Sequence, residues 1–157
     1  MKVAVYPGSF DPITNGHLDI LKRALEVFDK VIVLIAVNPK KTSRLKPEER
    51  LQIVKDSVKG IGNVEVDMTT GLTVEYALRH GATHLIRGLR AVTDFEYEFQ
   101  LAAANEFANP AIDVVFFMSR VGTSFINSST VIQLHENGVD ISSLVPAPVL
   151  KALNKKH

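Results

Sequence analysis

The chain of 157 residues carries 18 Lys and Arg against 17 Asp and Glu, is 46% hydrophobic and 22% charged, and contains neither Cys nor Trp. Such a length fits one domain, residues 1–157, with a core that needs no covalent staples. The lack of Cys excludes disulfides, thiolate metal sites and Cys nucleophiles, and the near-neutral charge argues against a general nucleic-acid binder while leaving room for a small anion held by local cations.

Val3–Tyr6 reads as a first strand, stopped by Pro7-Gly8. This apolar run is too short for a signal-peptide core, and no later stretch approaches the roughly 18 apolar residues of a membrane span, so a cytoplasmic chain with no membrane partner is expected. Leu18, Leu21, Leu25 and Phe28 recur at helical spacing with Asn15 as N-cap. Val31–Val37 is a second strand, apolar almost throughout, as strands covered on both faces are. Pro47-Glu48-Glu49 opens a helix with Pro in its first turn and acids near its positive end, and Gly60 closes it. Val64–Val66 reads as a third strand, Thr73–His80 before Gly81 as a short helix, and His84–Ile86 as a fourth strand. Thr93-Asp94-Phe95-Glu96 has capping-box spacing at the head of a helix reaching about Phe107. Ile112–Met118 is a fifth strand, again apolar and expected to be covered on both faces; Ser128–Glu136 and Pro146–Leu153 read as the last helices.

Alternating strands and helices with short connections predict an α/β fold: a doubly wound parallel sheet of five strands in the order 3-2-1-4-5. Ligands bind such sheets beyond the carboxyl ends of the strands, where the order reverses. Strands 1 and 4 flank that point, which directs attention to the loops after Tyr6, Ile86 and Met118.

The first loop, Tyr6-Pro7-Gly8-Ser9-Phe10-Asp11-Pro12-Ile13-Thr14-Asn15-Gly16-His17, contains no P-loop and no G-x-G-x-x-G. Gly8 and Gly16 allow backbone to approach a ligand, and Gly16-His17 sits where a helix N-terminus favours phosphate. The plainer alternative is an ordinary turn. After strand 4, Arg87-Gly88-Leu89-Arg90 brings two planar guanidiniums suited to phosphate, or else two surface residues paired with Asp94, Glu96 or Glu98. After strand 5, Thr123-Ser124-Phe125-Ile126-Asn127-Ser128-Ser129-Thr130 concentrates hydroxyl and amide donors at a helix start, more than N-capping alone requires. Pro39-Lys40-Lys41-Thr42-Ser43-Arg44-Leu45-Lys46 is either a solvated basic loop or a lid over an anion. No metal-ligating His spacing and no nucleophile elbow is present. Phosphate cradles, cations, one His and no activated nucleophile suit phosphoryl or nucleotidyl transfer by positioning and charge stabilisation.

The block Pro7-Gly8-Ser9-Phe10-Asp11-Pro12 with Thr14-Asn15-Gly16-His17 resembles the T/H-x-G-H signature of the nucleotidylyltransferase superfamily. Ile86-Arg87-Gly88-Leu89-Arg90, followed by Asp94-Phe95-Glu96-Tyr97-Glu98, is similar to one branch, the bacterial phosphopantetheine adenylyltransferases of coenzyme A synthesis, and the likeness runs on to Val145-Pro146. The resemblance implies a Rossmann-like fold and reversible adenylyl transfer from ATP to 4′-phosphopantetheine, giving dephospho-coenzyme A and pyrophosphate. It implies that Ser9, Lys41, Thr73 and Arg87 contact the phosphopantetheine arm and its phosphate, and that Ser9 and Phe10 border ATP. His17 would bind the α-phosphate and stabilise the transition state, with Lys41 and Arg90 as further catalytic cations. Gly88, Leu89, Arg90, Glu98 and the run Thr123, Ser124, Phe125, Ile126, Asn127, Ser128, Ser129 would hold the nucleotide. It further implies Mg²⁺ carried by ATP rather than ligated by the protein, competition by coenzyme A at the same site, and a homohexamer. The chain departs from the family pattern at Asn127, where Ser is usual. Two rivals are a nucleotidylyltransferase acting on nicotinate mononucleotide or glycerol 3-phosphate, whose signature usually has His in place of Thr14, and a non-catalytic nucleotide sensor, which has no need of His17.

Overall fold

The computed structural model describes residues 1–90, 92–120 and 126–156, the side chains of Val92 and Thr93 aside. Along the chain run β1 (Val3–Gly8), α1 (Asn15–Ala24), β2 (Lys30–Ala36), α2 (Pro47–Ser57), β3 (Val64–Thr69), α3 (Thr73–Arg79), β4 (His84–Leu89), α4 (Val92–Ala108), β5 (Asp113–Met118), α5 (Ser128–Glu136) and α6 (Ala147–Lys155). The strands form one parallel sheet in the order β3-β2-β1-β4-β5. Strand residues alternate between its faces. Ala4, Tyr6, Val31, Val33 and Ile35 pack on one side with buried residues of α1, α2, α5 and α6. Val5, Ile32, Leu34 and Leu85 pack on the other with Val74, Tyr76 and Ala77 of α3.

The register explains where a ligand can enter. β1 pairs with β2 over six positions, and β2–β3 and β4–β5 pairings are equally long. β1 and β4 pair only at Ala4↔His84 and Val5↔Leu85, then part. The crevice at the reversal of strand order is therefore a physical gap between two diverging strands. On its floor α1 crosses close to β4: a Cβ on Gly88 would lie 2.5 Å from Cδ1 of Ile20.

Several details differ from the sequence-based expectation: β1 runs on through Pro7-Gly8, β3 reaches Thr69, and Arg87-Gly88-Leu89 belong to β4 rather than to the loop after it. Thr14, not Asn15, is the N-cap of α1; the Thr14 hydroxyl accepts from the His17 amide, whereas the Asn15 side chain donates to the Ser143 carbonyl. Nor is β5 fully buried: Val115 and Phe117 pack partly on one core and Val114 on the other. It is the sheet edge, with every residue half-buried or exposed, and α4, which packs against β4, leaves Tyr97, Phe99 and Phe107 exposed. The apolar composition of β5 and of α4 thus exceeds what this chain buries. Gly60 follows α2 at one turn's remove rather than ending it, and the expected cap at Thr93 involves a side chain outside the described residues.

Thr14 is fully buried and supplies an N-cap. Thr14→Ala should cost about 1 kcal/mol of stability, read as a lower urea midpoint with an unchanged slope.

Candidate active site

Beyond β1 the backbone turns sharply. Phe10 adopts φ +47°, in the left-handed region, which sends its ring into the core at 2% exposure. There it stands edge-on to Tyr6, with centroids 5.5 Å apart, and edge-on to the imidazole of His17 at 5.0 Å. Phe10, expected beside ATP, is thus the wall behind His17.

The head of α1 then fixes His17. In an ordinary capping box a Glu or Gln at the third helical position reaches back to the N-cap amide. Here His17 takes that role: the Thr14 N–H donates to His17 Nδ1 at 2.9 Å while the His17 N–H reaches Thr14 Oγ1 at 3.4 Å. Accepting at Nδ1 requires a lone pair there, so the neutral ring carries its proton on Nε2. Burial, and then the positive charges of Arg90 and Arg87, lower the imidazole pKa from 6.5 to about 4. The ring is a neutral donor throughout the physiological range.

His17 faces a cleft of about 290 Å³, which also receives Ser9, Arg87, Gly88, Arg90, Glu98 and the start of α5 at Ile126, Asn127 and Ser128. Both guanidiniums are paired. Arg87 donates to both oxygens of Glu98, at 2.8 and 2.7 Å, and points its remaining arm at the Pro7 carbonyl, 3.4 Å away. Burial opposes the charge on Arg87, but the carboxylate of Glu98 more than offsets this and holds the guanidinium above its usual pKa. Arg90 lies 3.4 Å from Asp94, whose carboxylate also accepts from the Arg90 amide. The ion-pair alternative for these arginines and their placement in one crevice are therefore both realised, and Glu98, expected at the nucleotide, orients Arg87 here.

At the opposite wall, Asn127 caps α5 by accepting from the Thr130 amide at 2.8 Å, so the residue at the departure from the family pattern keeps a capping function. Ser128 Oγ donates to the Pro12 carbonyl at 2.7 Å, and Ser129 Oγ, on the exposed side, accepts from Arg44. The first amides of α5 have no intrahelical partner and form an anion-attracting helix start. Thr123, Ser124 and Phe125 lie outside the described residues. Leu89 is buried under the crevice rather than lining it. Lys41 is exposed on the loop after β2, and Thr73 starts α3 after β3; neither lines the cleft, although both follow the carboxyl ends of their strands.

Residues not singled out from sequence complete the site. Tyr6 lines the cleft, its hydroxyl pKa raised chiefly by burial. Asp11 and Arg50 are buried, at 8% and 4% exposure, and tie the loops around Ser9 and Leu45 together. Asp11 was visible only as a turn residue, and Arg50 has the pattern of any helical surface arginine.

Residues 5–134 match the cytidylyltransferase-like family. Phosphopantetheine adenylyltransferases of Desulforudis audaxviator and Geotalea daltonii are each 49% identical over 99% of this chain, covering 96% and 97% of their own lengths. That of Alkaliphilus metalliredigens is 46% identical over 99% of both chains. A crystal structure from Vibrio parahaemolyticus, provisionally named a nicotinate-nucleotide adenylyltransferase, superposes with a TM-score of 0.75 over 99% of this chain and 93% of its own, at 21% identity, a likeness of fold. With a crevice at the strand reversal, an imidazole locked at its mouth and near-full-length relatives of this kind, the chain belongs to the phosphopantetheine adenylyltransferases of the cytidylyltransferase-like family.

Proposed function

We propose that the chain transfers the adenylyl group of MgATP to 4′-phosphopantetheine, reversibly, by direct in-line attack of the acceptor phosphate on the α-phosphorus, with pyrophosphate leaving. The observation that carries this reading is the His17 ring, committed to donate from Nε2 into a crevice shared with Arg87, Arg90 and the start of α5. A phosphomonoester carries about −1.5 to −2 charge at pH 7 and is already an anionic nucleophile, so no general base is required. The difficulty is repulsion between two polyanions, and the chain's residues answer it. Arg90, close to the imidazole, and the amides at the head of α5 balance nucleotide charge; Ser9, Arg87, Lys41 and Thr73 receive the acceptor. His17 donates to a nonbridging α-oxygen as charge shifts there in the transition state. Mg²⁺ would enter with ATP as part of the substrate and offset phosphate charge there.

Topology supports dividing the two substrates. Ser9, Lys41 and Thr73 follow β1, β2 and β3, whereas Arg90 and the run to Ser129 follow β4 and β5. The acceptor thus lies mainly on the β1–β3 side of the gap and the nucleotide on the β4–β5 side, with Arg87 of β4 reaching across towards the Pro7 carbonyl to serve the acceptor and both substrates meeting at His17. Coenzyme A, which unites both groups in one molecule, is the natural competitor for the crevice. The exposed aromatic side chains of α4 and the half-buried edge β5 support self-association through that face; six as the number of copies is proposed from the family resemblance alone. No helix among the described residues is long and apolar enough to cross a membrane, and the activity is proposed for the cytoplasm.

Three measurements test this reading. With MgATP and phosphopantetheine the chain should release pyrophosphate; turnover only with another acceptor, such as nicotinate mononucleotide, would replace the substrate, and ATP binding without turnover would replace the activity. His17→Ala should lose about 10²–10³ in kcat with ATP affinity nearly unchanged, whereas Lys41→Ala should chiefly raise KM for the acceptor. In an NMR titration the His17 ring should stay neutral down to about pH 4, and Arg90→Met should move its midpoint part of the way back towards 6.5, burial remaining. The unfolded chain binds a proton at this ring between pH 6.5 and 4 that the folded chain does not, so this group makes stability fall as the pH is lowered through that window.

A further inference from the structure

Buried ionised groups generally pair with each other, because an isolated charge in the interior is costly. Asp11 and Arg50 do something different. Asp11 Oδ2 accepts from the Arg44 amide at 2.8 Å and Oδ1 from the Leu45 amide at 2.9 Å. Arg50, on α2, donates from Nε to the Leu45 carbonyl at 3.2 Å and from Nη1 to the Ser9 carbonyl at 2.8 Å. Each charge is thus used on backbone atoms, and the peptide units of Leu45 are gripped from both directions. Leu45 is itself buried to 1% exposure, anchoring the grip in the core.

What this clasp joins is specific. On one side is the loop that presents Ser9 to the cleft; because the Ser9 carbonyl is occupied by Arg50, its N–H and Oγ are the groups left for a ligand. On the other side is the root of the basic loop. Farther out, the hydrogen bonds of that loop are local: the Lys40 and Lys41 amides both donate to Asn38, and Lys40 and Lys41 are exposed. The loop is held at both ends, by β2 and by the clasp, and bears Lys41 exposed at its tip.

We infer that Asp11 and Arg50 are positioning residues for the acceptor phosphate: they hold the Ser9 loop and the root of the Lys41 loop in one fixed relation, so that both reach a single anion. This rests on the acceptor assignment proposed above. Neither residue touches the substrate, and neither stands on the nucleotide side of the gap. Loss of the clasp therefore acts chiefly on the acceptor, its one link to the nucleotide side being Arg44, whose guanidinium donates to Ser129.

Conservative variants provide the test. Arg50→Lys retains a buried cation but loses the rigid Nε–Nη1 fork that meets the two carbonyls, and Asp11→Asn retains one acceptor of two. Both should raise KM for phosphopantetheine about tenfold, the equivalent of one weakened hydrogen bond, with kcat and KM for ATP within about twofold of the parent. Arg50→Gln should do the same more strongly, and its effect should be less than additive with that of Lys41→Ala. Equal effects on both substrates, an unchanged acceptor KM in a folded variant, or strict additivity with Lys41→Ala would overturn the inference. Hydrogen exchange separates its failure from failure of the acceptor assignment. If the parent chain does not use phosphopantetheine at all, the earlier reading falls. The clasp then stands or falls on the Arg44 and Leu45 amides, held by Asp11, whose protection Asp11→Asn should lower at least tenfold; unchanged protection would refute it.

Discussion

One hydrogen bond, from the Thr14 amide to Nδ1 of His17, sets the chemistry of the crevice. A helix start leaves several amides without partners, and some acceptor must be found for them. Here the acceptor is an imidazole, so satisfying the backbone also selects the tautomer, aims the ring and leaves it a donor. Phe10 braces the other side of the ring from a left-handed turn that few non-glycine residues adopt. The strain in that turn and the capping of α1 thus serve the same placement. The lowered pKa of His17 follows from the same burial and from the neighbouring guanidiniums, which repel a proton on the ring.

The cations of the site are organised by carboxylates rather than left bare. Glu98 takes two arms of Arg87, and Asp94 engages both the side chain and the amide of Arg90. A flexible arginine loses much rotamer freedom on binding an anion, and a carboxylate that already holds the guanidinium meets part of that cost beforehand. On the proposed reading, an incoming phosphate would complete an arranged fork instead of ordering a mobile one. The same logic extends to Arg50 and Asp11, whose partners are backbone atoms of two loops, so that loop position rather than side-chain direction is what they define.

Much of this was legible in the sequence, for identifiable reasons. The strands were plain because β2 is apolar at nearly every position and turn residues interrupt each run; the strand order followed from βα alternation and crossover handedness. The loops at the reversal point stood out because Gly, Pro, Arg and hydroxyl residues cluster there, and the structure brings Ser9, His17, Arg87, Arg90, Glu98 and the start of α5 to one cleft. What periodicity does not encode is which of two adjacent polar residues caps a helix: Thr14 and Asn15 are both good caps, and only the reach of His17 to the Thr14 amide decides between them. Nor does it encode partners distant in sequence, such as Arg50 with Ser9 or Arg44 with Ser129. The incomplete burial of β5 was hidden for another reason: an apolar strand looks the same whether its cover comes from its own chain or from elsewhere.

The short ladder between β1 and β4 has a mechanical meaning. The sheet consists of two well-laced panels, β3-β2-β1 and β4-β5, stitched together at only two residue pairs near their amino ends. Parting the panels at their carboxyl ends breaks no ladder bonds between β1 and β4, because none lie beyond Val5 and Leu85. Spreading of the mouth is resisted instead by side chains that cross it, chief among them Arg87 reaching from β4 to the Pro7 carbonyl. The sheet is thus least cross-linked along the direction in which the proposed reactants would come and go.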